Sequence, residues 1–302
     1  MAWETSSRLL ATYRGEFPMY SDGHHGLPAL ALAAVLAAGA GPLAAHRFVL
    51  VGDGPGVAAV AEVLEEAAQR EARGGTVLEA RGAIHLVDRA GLATRARADA
   101  GELADHQLPY IQDAPACPDL AAAVAHVKPT VIIGVSDGAP PFAFSQEVCA
   151  AAAAGAERPV MLALSLRGAG GAEGGAEGAA ADVARWTGGA ARFASRAEAG
   201  PLLDVLAAGV ALGTLMSRST RLPEVMFVEA ARAVARCVSA EDRAAGRLLP
   251  RAADGRDVAA AVAAAVAERA YASGVATELP KPHALAALAE RYMYDPTYRR
   301  YK

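Results

Sequence analysis

The chain has 302 residues, 53% of them hydrophobic and 21% charged, with a formal charge of −4. That balance excludes a disordered polypeptide and leaves ample apolar material for one large or two small cores. The mildly acidic charge excludes the basic footprint of a nucleic-acid binder.

Trp3, Glu4, Arg8 and Arg14 interrupt any apolar run at the start, so no signal peptide is expected there. Ser6 to Tyr13 reads as a short helix, and Pro18 to Gly26 as a loop, Pro-Met-Tyr-Ser-Asp-Gly-His-His-Gly. Pro28 suits the first turn of a helix running to about Ala38, which Gly39 to Pro42 break. The apolar run Leu27 to Ala45 is alanine-rich and holds two glycines and a proline, so a buried helix is expected rather than a membrane span.

The stretch that organises the rest is Phe48-Val49-Leu50-Val51-Gly52-Asp53-Gly54-Pro55-Gly56. A short apolar strand, a glycine turn and a helix from Val57 to about Arg73 form the first half of a nucleotide-binding βαβ unit. Glycine allows backbone to approach a pyrophosphate, and the N–H groups that open the helix face its charge. Gly74-Gly75 end that helix, and Ala83 to Asp88 reads as a second strand with an acid at its end, where a ribose diol is read. Arg89, beside that acid, could meet a 2′-phosphate, so NAD and NADP both stay open. Asp53 adds a carboxylate near the phosphates, which is repulsive unless it points away. His85 is expected to be a core histidine satisfied by hydrogen bonds.

Asp119 reads as the cap of a helix through His126. Thr130 to Val135 and Pro159 to Leu164 are apolar runs of the kind buried on both faces of a parallel sheet, with a helix from Ser145 to Ala154 between them. Gly168 to Gly178 reads as a mobile glycine-alanine loop, and Ala191 to Ala194 as a last strand. Helices follow at Leu202 to Met216, Pro223 to Cys237, Asp257 to Ser273 and Ala284 to Tyr292, with a short turn at Glu241 to Gly246. The run Leu202 to Met216 is too short for a span and carries Asp204. The aromatic tail Tyr294 to Tyr298 is expected to dock on a surface. Alternation of strands and helices predicts an α/β fold: a Rossmann-like, doubly wound, mostly parallel sheet flanked by helices. The expected organisation is an N-terminal helical segment over 1–46, a dinucleotide-binding core over 47–200 and C-terminal helices over 201–302. Cys117, Cys149 and Cys237 lie far apart with no C-x-x-C pair, as expected of reduced thiols in a cytoplasmic protein.

Several segments together resemble the cofactor-binding domain of malic enzymes. They are Lys128 to Ser136, Glu157 to Ser165, Leu86 to Leu92 with the Gly52 turn, Glu241 to Leu248, Ala270 to Thr277, and Met293-Tyr294-Asp295-Pro296. The resemblance spans nearly the whole chain, in order. It implies NAD or NADP bound at Gly52, Gly54 and Gly56, by Asp88 and Arg89, and by Val135, Ser136 and Ser165 at the following strand ends. It also implies oxidation of malate, with a divalent metal polarising the keto group while carbon dioxide leaves and a Tyr–Lys pair moving protons.

This sequence departs from that pattern. The domain that carries the tyrosine and lysine has no counterpart here. The position matching the second of two adjacent metal-binding aspartates is Gly23, after Asp22, and His24-His25 follow where the family has no histidine. After Ser165 stand Leu166 and Arg167 in place of an asparagine and a proline. A hard divalent ion needs several oxygen ligands, which one aspartate cannot supply. No resident metal and no decarboxylation of malate by this chain alone are therefore expected.

Asp22, His24 and His25 are the candidate catalytic groups, a new acid–base or metal cluster in an old cleft. The competing reading is a polar loop that caps the Pro28 helix. The expected function is a malic-enzyme-like oxidoreductase acting on a small hydroxy or keto acid. The alternatives are a repurposed non-redox enzyme of specialised metabolism, such as a cyclase or lyase, and a non-catalytic partner subunit. Expected partners are the small-molecule substrate and either a second copy or a separate catalytic subunit, with no membrane and no nucleic acid.

Overall fold

The structure, a computed structural model, describes residues 3–39, 41–72, 75–136, 144–165 and 175–294, with backbone alone at 3–4, 136, 165 and 175–179. Helix α1 spans Trp3–Tyr13. Residues 22–26, which the sequence suggests are loop, form a π-helical turn, Asp22–Gly26, that runs directly into α2, Leu27–Ala38. Its widened hydrogen bond is Gly26 N–H to the Ser21 carbonyl, 3.3 Å. Pro28 sits in the first turn of α2, where a missing N–H removes nothing. Every residue of α2 except Leu36 is buried, so this helix is apolar on all sides and lies in the interior.

Strand β1, Phe48–Val51, leads through the glycine turn into α3, Gly56–Glu71. A further helix follows, α4 at Val77–Gly82, held by reciprocal bonds between Thr76 and Glu79. That T-x-x-E spacing is visible in the sequence and is the signal for it. Next come β2, Ile84–Asp88, the two-residue edge strand β3, Gly91–Leu92, and α5, Arg95–Asp99. Helix α6, Leu120–Val127, is capped by Asp119 as the sequence predicts, and β4, Val131–Ser136, follows. Helix α7, Gln146–Gly155, is capped by Ser145 and precedes β5, Val160–Ser165.

Helix α8 covers Gly175–Trp186, so the end of the expected loop, 175–178, is helical; residues 168–174 lie outside the described ones. Alanine and glutamate favour helix strongly enough there to outweigh scattered glycines. Strand β6 is Arg192–Ser195, followed by α9, Arg196–Ser217. The remaining helices are α10, Glu224–Arg236, α11, Ala240–Ala244, α12, Gly255–Ala272, and α13, Leu285–Tyr292.

The sheet order is β3-β2-β1-β4-β5-β6, parallel except for the antiparallel β2–β3 pair. Both faces are covered, which is why its central strands read as continuous apolar runs. Val49, Val51, Ile132 and Met161 pack with residues of α6 and α7. Phe48, Leu50, Ile133 and Leu162 share the larger core with α2, α3, α10 and α12. That core joins Leu30, Leu50, Phe227 and Val262, so it runs through all three expected segments.

Helix α9 starts before the expected Leu202 and, at 22 residues with a mean hydropathy of 1.6, is long and apolar enough to cross a membrane. It lies tightly along α12: a Cβ on Gly209 would meet Val262 at 2.7 Å, and one on Gly213 would meet Val266 at 2.8 Å. Pro201 is accommodated in its opening turns. His85 departs from expectation, because its Nδ1 is buried without a hydrogen-bond partner. Tyr292 and Tyr294 are 65% and 83% exposed, and the rest of the aromatic tail, 295–302, lies outside the described residues.

Candidate functional site

The strand order changes direction between β1 and β4, and a crevice at such a switch point is where open α/β sheets hold ligands. Gly52 ends β1, and its N–H donates to the Val87 carbonyl at 3.0 Å. A Cβ at Gly52 would strike the carbonyl oxygen of Val135 at the end of β4 and lie 2.5 Å from Val57 Cγ2. The glycine is thus required by the contact between the turn and β4. It also makes room for Val57, a larger residue than close packing of this turn usually admits. Pro55 precedes α3 as its N-cap residue, and no side chain caps the opening N–H groups. Those groups are the feature that suits a pyrophosphate, so the phosphate end of a dinucleotide fits the residues present. Gly54 and Gly56 lie in the same turn and first helical position.

At the ribose end, Asp88 and Arg89 both have protein partners. The Asp88 carboxylate receives Arg97 on both oxygens, at 3.0 and 2.9 Å, Gln107 Nε2 at 3.0 Å and the Ala90 N–H at 2.8 Å. Asp88 and Arg97 are 14% and 15% exposed. Burial alone would raise the Asp88 pKa, but Arg97, Gln107 and the Ala90 amide outweigh it and hold it below the usual carboxylate range. Arg89 is also engaged: its N–H donates to Asp53 Oδ1 at 3.0 Å, and its guanidinium pairs with the same carboxylate. Asp53 therefore has a partner across the mouth of the turn. Arg97, Gln107 and the Asp53–Arg89 pair are features that the sequence reading missed. The Thr94 cap that positions α5 was available as a signal for Arg97. Nothing in the sequence points from Asp88 to Gln107, nineteen positions on.

Val135 is buried and meets the turn through its carbonyl. Ser136 and Ser165 face each other in register at the ends of β4 and β5. The glycine turn, Asp88, Arg89, Val135, Ser136 and Ser165 are thus brought to one end of the sheet, beyond the carboxyl ends of the strands.

Asp22, His24 and His25 are adjacent in one turn but are directed to different surroundings. Asp22 is exposed. His24 bonds Ser7 Oγ through Nε2 at 2.8 Å and Ser21 Oγ through Nδ1 at 3.2 Å. His25 is buried and stacked on Phe227, with ring centroids 4.0 Å apart and planes 7° off parallel. Its Nδ1 accepts the Ser21 N–H at 3.1 Å, so in the neutral ring the proton sits on Nε2. That atom lies 3.9 Å from Glu224 Oε1. Burial, then the nearby His24 and Arg14, push the His25 pKa down to about 3, and burial lowers that of His24. His25 is therefore a neutral imidazole at physiological pH.

Both histidines line a cleft of about 400 Å³ beside α3, with Arg14, Glu62, Glu65 and Glu224. Burial raises the pKa of Glu62 and of Glu224. Gly52, Asp88, Arg89 and Val135 are not part of its lining. Among the described residues, no three His, Cys, Asp or Glu side chains are grouped to hold a metal ion.

Residues 25–203 and 205–271 match the family model described as malic enzyme, NAD binding domain. The chain is 32% identical to NADP-dependent malic enzyme 1 of Arabidopsis thaliana, over 97% of this chain and 52% of that protein. It is 32% identical to the NADP-dependent malic enzyme of Vitis vinifera, over 97% and 51%. It spans about half the length of these curated relatives. Among solved structures, the malic enzyme of Entamoeba histolytica superposes with a TM-score of 0.71 at 18% identity, covering 96% of this chain and 57% of that one. The malic enzyme of Pyrococcus horikoshii gives the same TM-score and identity, covering 96% and 64%. The Rossmann-like architecture, the glycine turn at its switch point and the matched length agree: this chain belongs to the malic enzyme family and carries that family's NAD binding domain.

Proposed function

We propose that the chain binds NAD or NADP across the β1–β4 crevice as the cofactor half of an oxidoreductase acting on a small hydroxy or keto acid. The observation that carries this reading is the glycine turn entering α3 with its first N–H groups free of any side-chain cap. The dinucleotide supplies a hydride acceptor, and this chain's part is to bind and orient it.

We place the metal-holding and proton-transferring groups outside this domain, with a second copy or a catalytic subunit as the partner that would bring them. Asp22 is exposed, and its neighbour Gly23 offers no side-chain ligand where the resemblance implies a carboxylate. His24 and His25 are engaged with Ser7, Ser21 and Phe227, which supports a structural part for the turn. The three free cysteines support a reducing, cytoplasmic setting.

Calorimetric titration of the full chain with NAD and with NADP tests the binding. Saturable heat with either dinucleotide is expected, and none at millimolar concentration would remove the reading. A second assay adds malate with Mg²⁺ or Mn²⁺ to the loaded chain. No reduced dinucleotide is expected, and its appearance would show that this chain alone completes the chemistry.

A further inference from the structure

We infer that Asp53 suppresses the choice between NAD and NADP by holding Arg89, the side chain placed to read a 2′-phosphate. The inference rests on the proposed dinucleotide binding and adds a selectivity-determining residue to that site.

Two devices at the end of β2 tell these cofactors apart in such folds: a free carboxylate on the ribose diol, or a free arginine on the 2′-phosphate. Neither is free here. A carboxylate offers about four acceptor directions. Asp88 fills that number with two Arg97 donors, Gln107 Nε2 and the Ala90 N–H. NAD therefore gains no diol contact unless one of these bonds is given up. Arg97 is largely buried against Asp88 and cannot turn to a phosphate without stranding that charge.

Arg89 is, among the described residues, the other cation paired at the end of β2. It is 63% exposed, and among the described residues its ion-pair partner is Asp53. A 2′-phosphate would compete well for it, because an exposed pair is worth at most about fivefold in an equilibrium. Taking Arg89 away, however, uncovers Asp53 inside the turn that enters α3. The gain on the 2′-phosphate is then offset by a carboxylate that keeps the Arg89 N–H but has lost its countercharge beside the pyrophosphate. With Asp53 present the two dinucleotides should bind alike, and without it Arg89 is released at no electrostatic cost.

The test is a double-mutant cycle read by calorimetry on the full chain. For the unaltered chain, dissociation constants for NAD and NADP within about threefold are expected, since the opposing terms at an exposed pair are of that size. Asp53→Asn should tighten NADP relative to NAD by up to about fivefold, the worth of the released pair. Arg89→Ala alone should change the ratio little, but in the Asp53→Asn background it should erase the gain. Asp53→Ala, with thermal unfolding of each variant, guards against a folding artefact at one substitution. A tenfold preference in the unaltered chain, or equal shifts for both cofactors on removing Asp53, overturns the inference while leaving dinucleotide binding intact. Failure of every form to bind either cofactor overturns both.

Discussion

Two glycine-bearing turns feed the first two helices packed on the sheet, and they use their polar residues in opposite ways. The turn at 52–56 enters α3 with its first N–H groups uncapped by side chains, and its one acid is paired sideways to Arg89. The turn at 22–26 enters α2 and closes on itself: Ser21 receives and donates bonds around His24 and His25, and Phe227 covers the His25 ring. The first keeps backbone donors available to a ligand, whereas the second consumes its donors in the protein. A histidine pair is therefore poor grounds for chemistry until the partners of its ring nitrogens are known.

The largest effect should come from the acid that the sequence assigns to the ribose. Arg97→Met removes the main partner of a largely buried carboxylate and should destabilise the chain by about 3 kcal/mol at neutral pH, as breaking a buried pair does. The sign with pH is fixed. A carboxylate with a depressed folded pKa stabilises fully above its unfolded value and stops stabilising as pH falls through the folded one. Urea unfolding at pH 7 and again in the acid range should find the variant deficit large at pH 7 and small in acid. An unchanged midpoint at pH 7 would mean that Asp88 is not held by Arg97 and is available to a ligand.

Next is Gly52→Ala. The added methyl meets the Val135 carbonyl, which is backbone and fixed by the β4 ladder, and Val57 Cγ2 at 2.5 Å. Overpacking of this kind costs about 1–3 kcal/mol. The turn must shift, so dinucleotide affinity should fall along with the denaturation midpoint. A stable variant with unaltered binding would show the turn to be looser than its contacts imply.

His25→Asn should act through pH. The unfolded imidazole takes a proton near 6.5, and the folded one only at about 3. Between those values the unfolded state binds more protons, so stability falls as pH drops through that window, by up to about 1.4 kcal/mol per pH unit. The asparagine variant lacks this ionisation, and its stability should decline less steeply from pH 6.5 to pH 4. Equal slopes would place a charged histidine in the turn and reopen an acid–base role for it.

The sequence carries the strand–helix alternation and the glycine turn plainly, because each rests on local signals: apolar runs buried on both faces, a proline inside a helix start, caps at Asp119 and Ser145. The site is only half legible, and the reason is the range of its bonds. Arg97 reaches Asp88 over nine positions, Gln107 over nineteen, and Arg89 reaches Asp53 over thirty-six. Residue type names the chemistry an acid could perform. The partner that already occupies it is set by how β2 lies beside β1, which no local pattern states.

The smallest effect discriminates most sharply between the two turns. Gly26 stands as close to its neighbours as Gly52 does, since a Cβ there would meet the Tyr20 hydroxyl and Leu203 Cδ2, the latter at 3.2 Å. Both are side-chain ends, and neither is backbone. Gly26 precedes α2 with helical angles, φ −66° and ψ −56°, so alanine suits its conformation and gains up to about 1 kcal/mol of helix propensity. The Tyr20 hydroxyl is the far end of a side chain beside the Asp22 carboxylate, so it can yield to the new methyl where the Val135 backbone cannot. Gly26→Ala should therefore shift the unfolding free energy by less than about 1 kcal/mol, with side-chain displacement and propensity nearly cancelling. A loss as large as that of Gly52→Ala would mean that Tyr20 is fixed in place, and the 22–26 turn would then be as tightly constrained as the one at 52–56.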